Sequence, residues 1–240
     1  MNKRVVVIGG SGGIGADIAK RLARDASVFI GYNTNVKKAK MTMQEIIENG
    51  GRADIGKINI TDPNSVEMFY HNASKFLGGI DTIVSAVGTP FYISEILNIK
   101  DEDFINIINN DIVGGFHIVK RGIPHLLKEN GGSILLLLTS AIHRTIEYDG
   151  LSSIPKMGVE GLIRVAAREY GKKNIRVNGI SPGAINSESI HKDFEANDLT
   201  IQLIQKFIAD TPMGRKGETE EVANVVAFLV SDDASYINGQ

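Results

Sequence analysis

The chain has 240 residues, enough to bury one substantial α/β core and short for two domains. Its 26 basic and 28 acidic residues leave a net charge of -2 with no basic stripe, so there is no electrostatic case for nucleic acid or a membrane surface as partner. The absence of cysteine excludes disulfides, thiolate metal sites and cysteine nucleophiles, and five scattered histidines show no metal-ligand spacing.

Val5-Val6-Val7-Ile8 is a continuous β-branched run, the pattern of a strand covered on both faces. Glycine breaks this run before it reaches the length of a secretory signal, and no later run is long enough to span a membrane; a cytoplasmic protein is expected. The strand enters the turn Gly9-Gly10-Ser11-Gly12-Gly13-Ile14-Gly15, after which Ile14, Ile18 and Leu22 have helical spacing. A helix whose amino end points at such a turn offers unpaired amides and the positive end of its dipole to a phosphate. Two registers fit, G-x-G-x-x-G from Gly10 to Gly15 and G-x-x-x-G-x-G at Gly9, Gly13 and Gly15. Placed between a strand and a helix in a unit of βαβ size, either points to a dinucleotide site rather than an ordinary glycine loop.

Ser27 to Tyr32 reads as a second strand and Val36 to Asn49 as a helix stopped by Gly50-Gly51. Arg52 to Ile60 is expected to supply a third strand, and Asp62-Pro63 opens a helix to about Leu77. Asp81 to Ala86 is a short buried strand that ends at Gly88. One long helix is expected from Asp101 to about Lys128, with Gly114-Gly115 as a point of close packing. Gly132 to Leu138 is the fifth strand; a helix over about Ser152 to Gly171, a strand over Ile175 to Ile180 and a loop beginning Pro182-Gly183 follow. This alternation predicts a single α/β domain over 1–240, a Rossmann-type doubly wound parallel sheet flanked by helices, with ligands at the strands' carboxyl ends. Residues 184–212 lack a strand pattern and are expected to form a substrate lid over that edge.

The glycine turn, the stretch Ile175-Arg176-Val177-Asn178-Gly179-Ile180-Ser181-Pro182-Gly183, Pro212-Met213-Gly214-Arg215 with Glu220-Glu221-Val222-Ala223, and Ser231-Asp232 through Gly239-Gln240 form one pattern. Over nearly its whole length the chain resembles the short-chain dehydrogenase/reductase family, in wording closest to the bacterial β-ketoacyl-carrier-protein reductases. Ile8 stands where the family has threonine, and Asp81 to Gly88 occupies its N-N-A-G segment without either asparagine. Relatives continue into a final strand ending near V-D-G-G, which is expected to be absent or cut away here.

The resemblance implies a set of cofactor contacts. Gly9, Ser11, Gly13, Ile14 and Gly15 would cradle the pyrophosphate, with Asn33, Asn59 and Ile60 toward the adenosine. Ala86, Gly88, Pro182 and Gly183 are further cofactor contacts, Lys156 would hold the ribose, and Ile185 with Ser187 would hold the carboxamide of nicotinamide. Asn59 replaces the family's aspartate, and Tyr32-Asn33-Thr34 stands where an NAD-specific acid belongs. A ribose 2'-phosphate meets no repelling charge there, and Lys37 or Lys38 is placed to reach it, unless both belong to a solvated helix face. The reading leans to NADP(H) over NAD(H). No metal is expected.

In this family a tyrosine hydroxyl transfers the substrate proton, a lysine four residues later lowers its pKa, a serine orients the carbonyl and an asparagine completes a water relay. Lys156-Met157-Gly158-Val159-Glu160-Gly161-Leu162 places the lysine at Lys156, so Ser152 stands in the tyrosine's position. The asparagine position falls on Asp111, and Ser140 is the carbonyl-orienting serine, with Thr139 as the alternative. A phenol of free pKa about 10 can be brought toward neutrality by a cation, an alkyl hydroxyl is far less acidic, and Ser152 is shorter by an aromatic ring. Ser152 is therefore read as a helix cap with Pro155 in the first turn, in preference to a catalytic serine. Asp111 is expected either to pair with Lys156, diverting the lysine, or to bond backbone amides and water. Tyr148 lies eight residues before Lys156, and related enoyl-carrier-protein reductases place their tyrosine seven before the lysine, so a loop shift would bring its hydroxyl to the nicotinamide. His143 is a second donor candidate on that loop.

Two functions compete. The first is an NAD(P)-dependent oxidoreductase that uses Ser140, Lys156 and a relocated donor such as Tyr148 on a carbonyl/hydroxyl pair or activated alkene of a small molecule or acyl thioester. The second is a catalytically impaired subunit that binds nucleotide and partners an active relative. A structural protein without nucleotide is disfavoured by the glycine turn and the Pro182-Gly183 loop. The family's assembly through its two long helices, here about 101–128 and 152–171, implies a homo-oligomer, dimer or tetramer, or a hetero-oligomer with an active relative.

Overall fold

The computed structural model describes residues 3–187 and 198–240, and the lid expectation for 188–197 lies outside the described residues. β1 (Lys3–Ile8), α1 (Gly13–Leu22), β2 (Ala26–Tyr32), α2 (Val36–Glu48), β3 (Arg52–Lys57), α3 (Pro63–Leu77) and β4 (Thr82–Ser85) follow in strict alternation. Then come α4 (Asp101–Ile108), a π-helical turn (Asn109–Val113), α5 (Gly114–Lys128), β5 (Gly132–Leu137), α6 (Gly150–Tyr170) and β6 (Ile175–Ile180). β7 (Ile185–Asn186), α7 (Asp198–Ala209), β8 (Gly217–Glu218) and α8 (Thr219–Val230) complete the set.

Among the described residues, six strands form one parallel sheet in the order β3-β2-β1-β4-β5-β6, and β7 pairs with β8 apart from it. The order reverses between β1 and β4, so the crevice for a ligand opens beside the carboxyl end of β1, where the glycine turn begins. Alternate residues of β1 feed two cores: Val5 and Val7 pack with Ile18, Leu22 and Val226 on one face, Val6 and Ile8 with Phe69, Tyr70 and Ile118 on the other. This double burial is why the strand reads as an unbroken apolar run. The last residues lie along the β6 edge, with the Gly239 amide donating to the Val177 carbonyl at 2.9 Å and the Gly179 amide to the Gln240 carbonyl at 2.7 Å.

Four expectations are corrected. β3 stops at Lys57 because the Asn59 amide turns to the Ser65 hydroxyl at 2.8 Å, while the Asn59 side chain accepts from the Thr61 amide and hydroxyl. The single helix from Asp101 to Lys128 is divided by the π turn, which holds Asp111. α6 begins at Gly150, not Ser152, since the Asp149 carbonyl already accepts the amides of Ser152 and Ser153 at 3.2 and 3.0 Å. Asp149 is thus the cap residue, Ser152 sits in the first turn and Pro155 lies inside the helix. Within 184–212, part of the lid is strand: β7 is tied to β8, and only α7 is helical among the described residues.

Candidate active site

In the turn after β1, Gly9 (φ 83) and Gly13 (φ 53) adopt left-handed backbone, and a Cβ on Gly15 would lie 2.2 Å from the Gly9 carbonyl oxygen. The register Gly9, Gly13, Gly15 is therefore the one the fold requires. Gly12 precedes α1 and supplies no capping side chain, which leaves the first amides of the helix to an anion. Lys38 reaches this turn from α2: a Cβ built on Gly12 would lie 3.4 Å from its Cδ and 3.9 Å from its Nζ.

A cleft of about 350 Å³ opens at the carboxyl ends of the central strands. Of the residues expected from sequence, Ile14, Gly15, Ala86, Gly88, Asp111, Ser140, Ser152, Lys156, Pro182, Gly183, Ile185 and Ser187 line it, with Thr139. Gly9, Ser11 and Gly13 belong to the adjoining turn and do not line the cleft. Asn33 and Asn59 are exposed outside it, and Ile60 is turned into the core, where a Cβ on Gly114 would come within 2.7 Å of its side chain. α7 contributes Leu203 and Phe207 to the cleft wall.

Two hydroxyls on the β5 end differ in what they are free to do. Thr139 accepts the Ala141 amide at 3.3 Å and caps a short 3-10 turn, whereas the Ser140 amide is anchored to the Pro182 carbonyl at 3.0 Å while its hydroxyl has no protein partner among the described residues. The loop beyond does not deliver a phenol. Tyr148 is absent from the cleft lining, its carbonyl accepts the Ser94 amide at 2.9 Å, and its backbone is left-handed (φ 66). His143 is exposed and likewise outside the lining.

The π turn places the Asp111 carboxylate 3.0 Å from Lys156 Nζ, in the ion pair expected from sequence. The Thr89 hydroxyl donates to Asp111 at 2.8 Å, and Lys156 also donates to the Val87 carbonyl at 3.2 Å. Both side chains are nearly covered, so the pair is a desolvated one whose partners depend on each other. Gly158 of α6 lies against the same π turn, where a Cβ would fall 2.5 Å from the end of the Ile112 side chain.

A family profile described as "Enoyl-(Acyl carrier protein) reductase" matches residues 9–240. The chain is 31% identical over 244 residues to the 3-oxoacyl-[acyl-carrier-protein] reductase FabG of Staphylococcus epidermidis, covering 100% of this chain and 96% of that protein. The chain belongs to the short-chain dehydrogenase/reductase family. A short-chain type dehydrogenase/reductase from Mycobacterium ulcerans superposes with a TM-score of 0.91 at 28% identity, over 100% of this chain and 87% of that one. A short chain dehydrogenase from Burkholderia cenocepacia, solved in complex with NADP, gives 0.88 at 26% identity over 100% and 94%.

The structure brings into the cleft one carboxyl that the sequence pattern did not mark. Asp149 is buried at 6% exposure and lines the cleft beside Ser152, yet its side chain makes no capping hydrogen bond to α6. Burial raises its carboxyl from the ordinary 3.8 to about 7, and the Ser152 hydroxyl acts in the opposite direction. The available signal was an aspartate just ahead of a helical pattern, which suits an N-cap.

Proposed function

We propose that this chain is an NADP(H)-linked oxidoreductase that interconverts a carbonyl and a hydroxyl on a small apolar or acyl-thioester substrate. The observation that carries this reading is a single cleft that joins the amino end of α1 to Ser140 and Lys156. Its glycine cradle suits a pyrophosphate, because Gly12 leaves the first amides of α1 uncapped and Gly15 lets the helix start pack directly on the backbone of the turn. When bound, the dinucleotide supplies or accepts the hydride. Ser140, whose hydroxyl is uncommitted, donates to the substrate oxygen, and Lys156 holds the ribose side of the nicotinamide. Lys38 at the turn favours the 2'-phosphorylated cofactor. The apolar wall, including Phe91, Ile93, Leu203 and Phe207, selects a substrate with an apolar body.

A second reading, a nucleotide-binding subunit without turnover of its own, is favoured by Ser152 in the tyrosine's position and by the Asp111 pair that engages Lys156. Apolar residues exposed on α5 and α6, among them Phe116, Met157 and Val165, suit assembly through these helices with a second copy or an active relative. NADPH fluorescence titration combined with NADPH consumption on acetoacetyl-CoA separates the readings. Binding with slow turnover supports the enzyme, binding with none on ketones, enones or alcohols supports the subunit, and no binding overturns both.

A further inference from the structure

We propose that the carboxyl of Asp149 is the proton donor of this site, occupying the role that Ser152 is too short and too weakly acidic to fill. The assignment rests on the oxidoreductase reading of the cleft. Three observations of geometry support it. The carboxyl is buried, it lines the same cleft as Ser140 and Lys156, and it is not consumed as a helix cap. Among the described residues it has no ion-pair partner, so nothing holds it permanently ionised.

Its surroundings explain how a carboxylic acid keeps a proton near neutral pH. The wall is largely apolar, with Phe91, Ile93, Ile146, Leu151 and Phe207. The charged groups that share the cleft are Lys156 of α6, Asp111 of the π turn and Lys216 ahead of β8; Glu147 and Tyr148 are on its own loop but outside the lining. Lys156 and Asp111 neutralise one another at 3.0 Å, and no charged neighbour contributes to the Asp149 shift, which comes from burial. The Ser152 hydroxyl and the positive end of the α6 dipole both favour the ionised form, limiting the rise to a range where the proton can still leave. A donor poised near the working pH is the condition for efficient general acid catalysis.

In the reducing direction the Asp149 O–H bond breaks and a new O–H bond forms at the substrate carbonyl oxygen, while the carbonyl carbon receives its hydride from a reduced nicotinamide dinucleotide. The carboxylate left behind regains a proton from solvent. Ser140 steadies the same oxygen from the β5 side. In the oxidising direction the carboxylate takes the hydroxyl proton.

The test uses the full chain labelled with ¹³C at the aspartate carboxyls. The carboxyl signal that disappears in Asp149→Asn should titrate near pH 7 and move higher in Ser152→Ala; a midpoint near 4 overturns the assignment whatever the kinetics. With acetoacetyl-CoA and NADPH, kcat should fall about tenfold per pH unit above that midpoint. Asp149→Asn should lower kcat at least about a hundredfold, the lower range for loss of a general acid, and abolish that pH limb while leaving NADPH fluorescence quenching intact. Unchanged turnover in the variant, or quenching by wild type with no turnover, overturns the donor and leaves the cofactor site standing. A wild-type chain that fails to quench NADPH overturns the reading of the cleft itself, with any role for Asp149 in it.

Discussion

Replacing Asp149 by asparagine should stabilise the protein in a pH-dependent way. The folded state raises this carboxyl from 3.8 to about 7, so between those values the folded chain holds a proton that the unfolded chain has released. Stability therefore falls as pH climbs through this window and levels off above it, when both states are ionised. At about 1.4 kcal/mol for each pH unit, the full effect is at most about 4 kcal/mol. Asparagine keeps the size of the protonated acid and cannot ionise. The variant should match wild type near pH 4 and exceed it by a few kcal/mol at pH 8, a rise in melting temperature on the order of 10 °C for a chain of this size. Thermal melts of both proteins at equal concentration from pH 4 to 9 give the difference curve. A difference that stays flat across the range would show that the carboxylate is solvated or paired, and would refute the reasoning from burial.

Three further outcomes are expected. Asp111→Asn should cost on the order of 3 kcal/mol by urea denaturation, because it leaves Lys156 buried without its partner; adding Lys156→Met should recover most of the loss. Gly15→Ala should abolish NADPH quenching and destabilise by about 3 kcal/mol, as its methyl cannot share space with the Gly9 carbonyl; a variant that still quenches NADPH would put the pyrophosphate elsewhere. Lys38→Ala should weaken NADPH about tenfold at low salt and leave NADH unchanged, and equal loss for both would assign the lysine to the pyrophosphate instead.

Much of the candidate site was legible because its parts are contiguous in sequence. The turn from Gly9 to Gly15 announces itself by composition, and the resemblance placed Lys156, Ser140 and Asp111 within the cleft they share. The expected pairing of Asp111 with Lys156 is present at 3.0 Å. Other expectations failed for identifiable reasons. Ser152 beside Pro155 imitates a helix start, but the Asp149 carbonyl begins the ladder earlier. Tyr148 sits near the right spacing from Lys156, yet spacing says nothing about the left-handed backbone and the Ser94 contact of the loop, in whose observed path the residue lies outside the cleft lining.

Local pattern was sufficient for the alternation of strands and helices, since a β-branched run, a 3.6-residue stripe or a glycine turn carries its own backbone preference. The choice between two glycine registers, the π turn under Asp111 and the acidity of Asp149 required the tertiary structure. Each depends on atoms distant along the chain. Gly9, which only one register requires, is constrained by the backbone of Ala86 and Val87, Asp111 by Lys156, and the Asp149 environment by walls drawn from Phe91, Ile93, Ile146, Leu151, Leu203 and Phe207. Desolvation is a property of the enclosing volume, and no stretch of sequence encloses a volume alone.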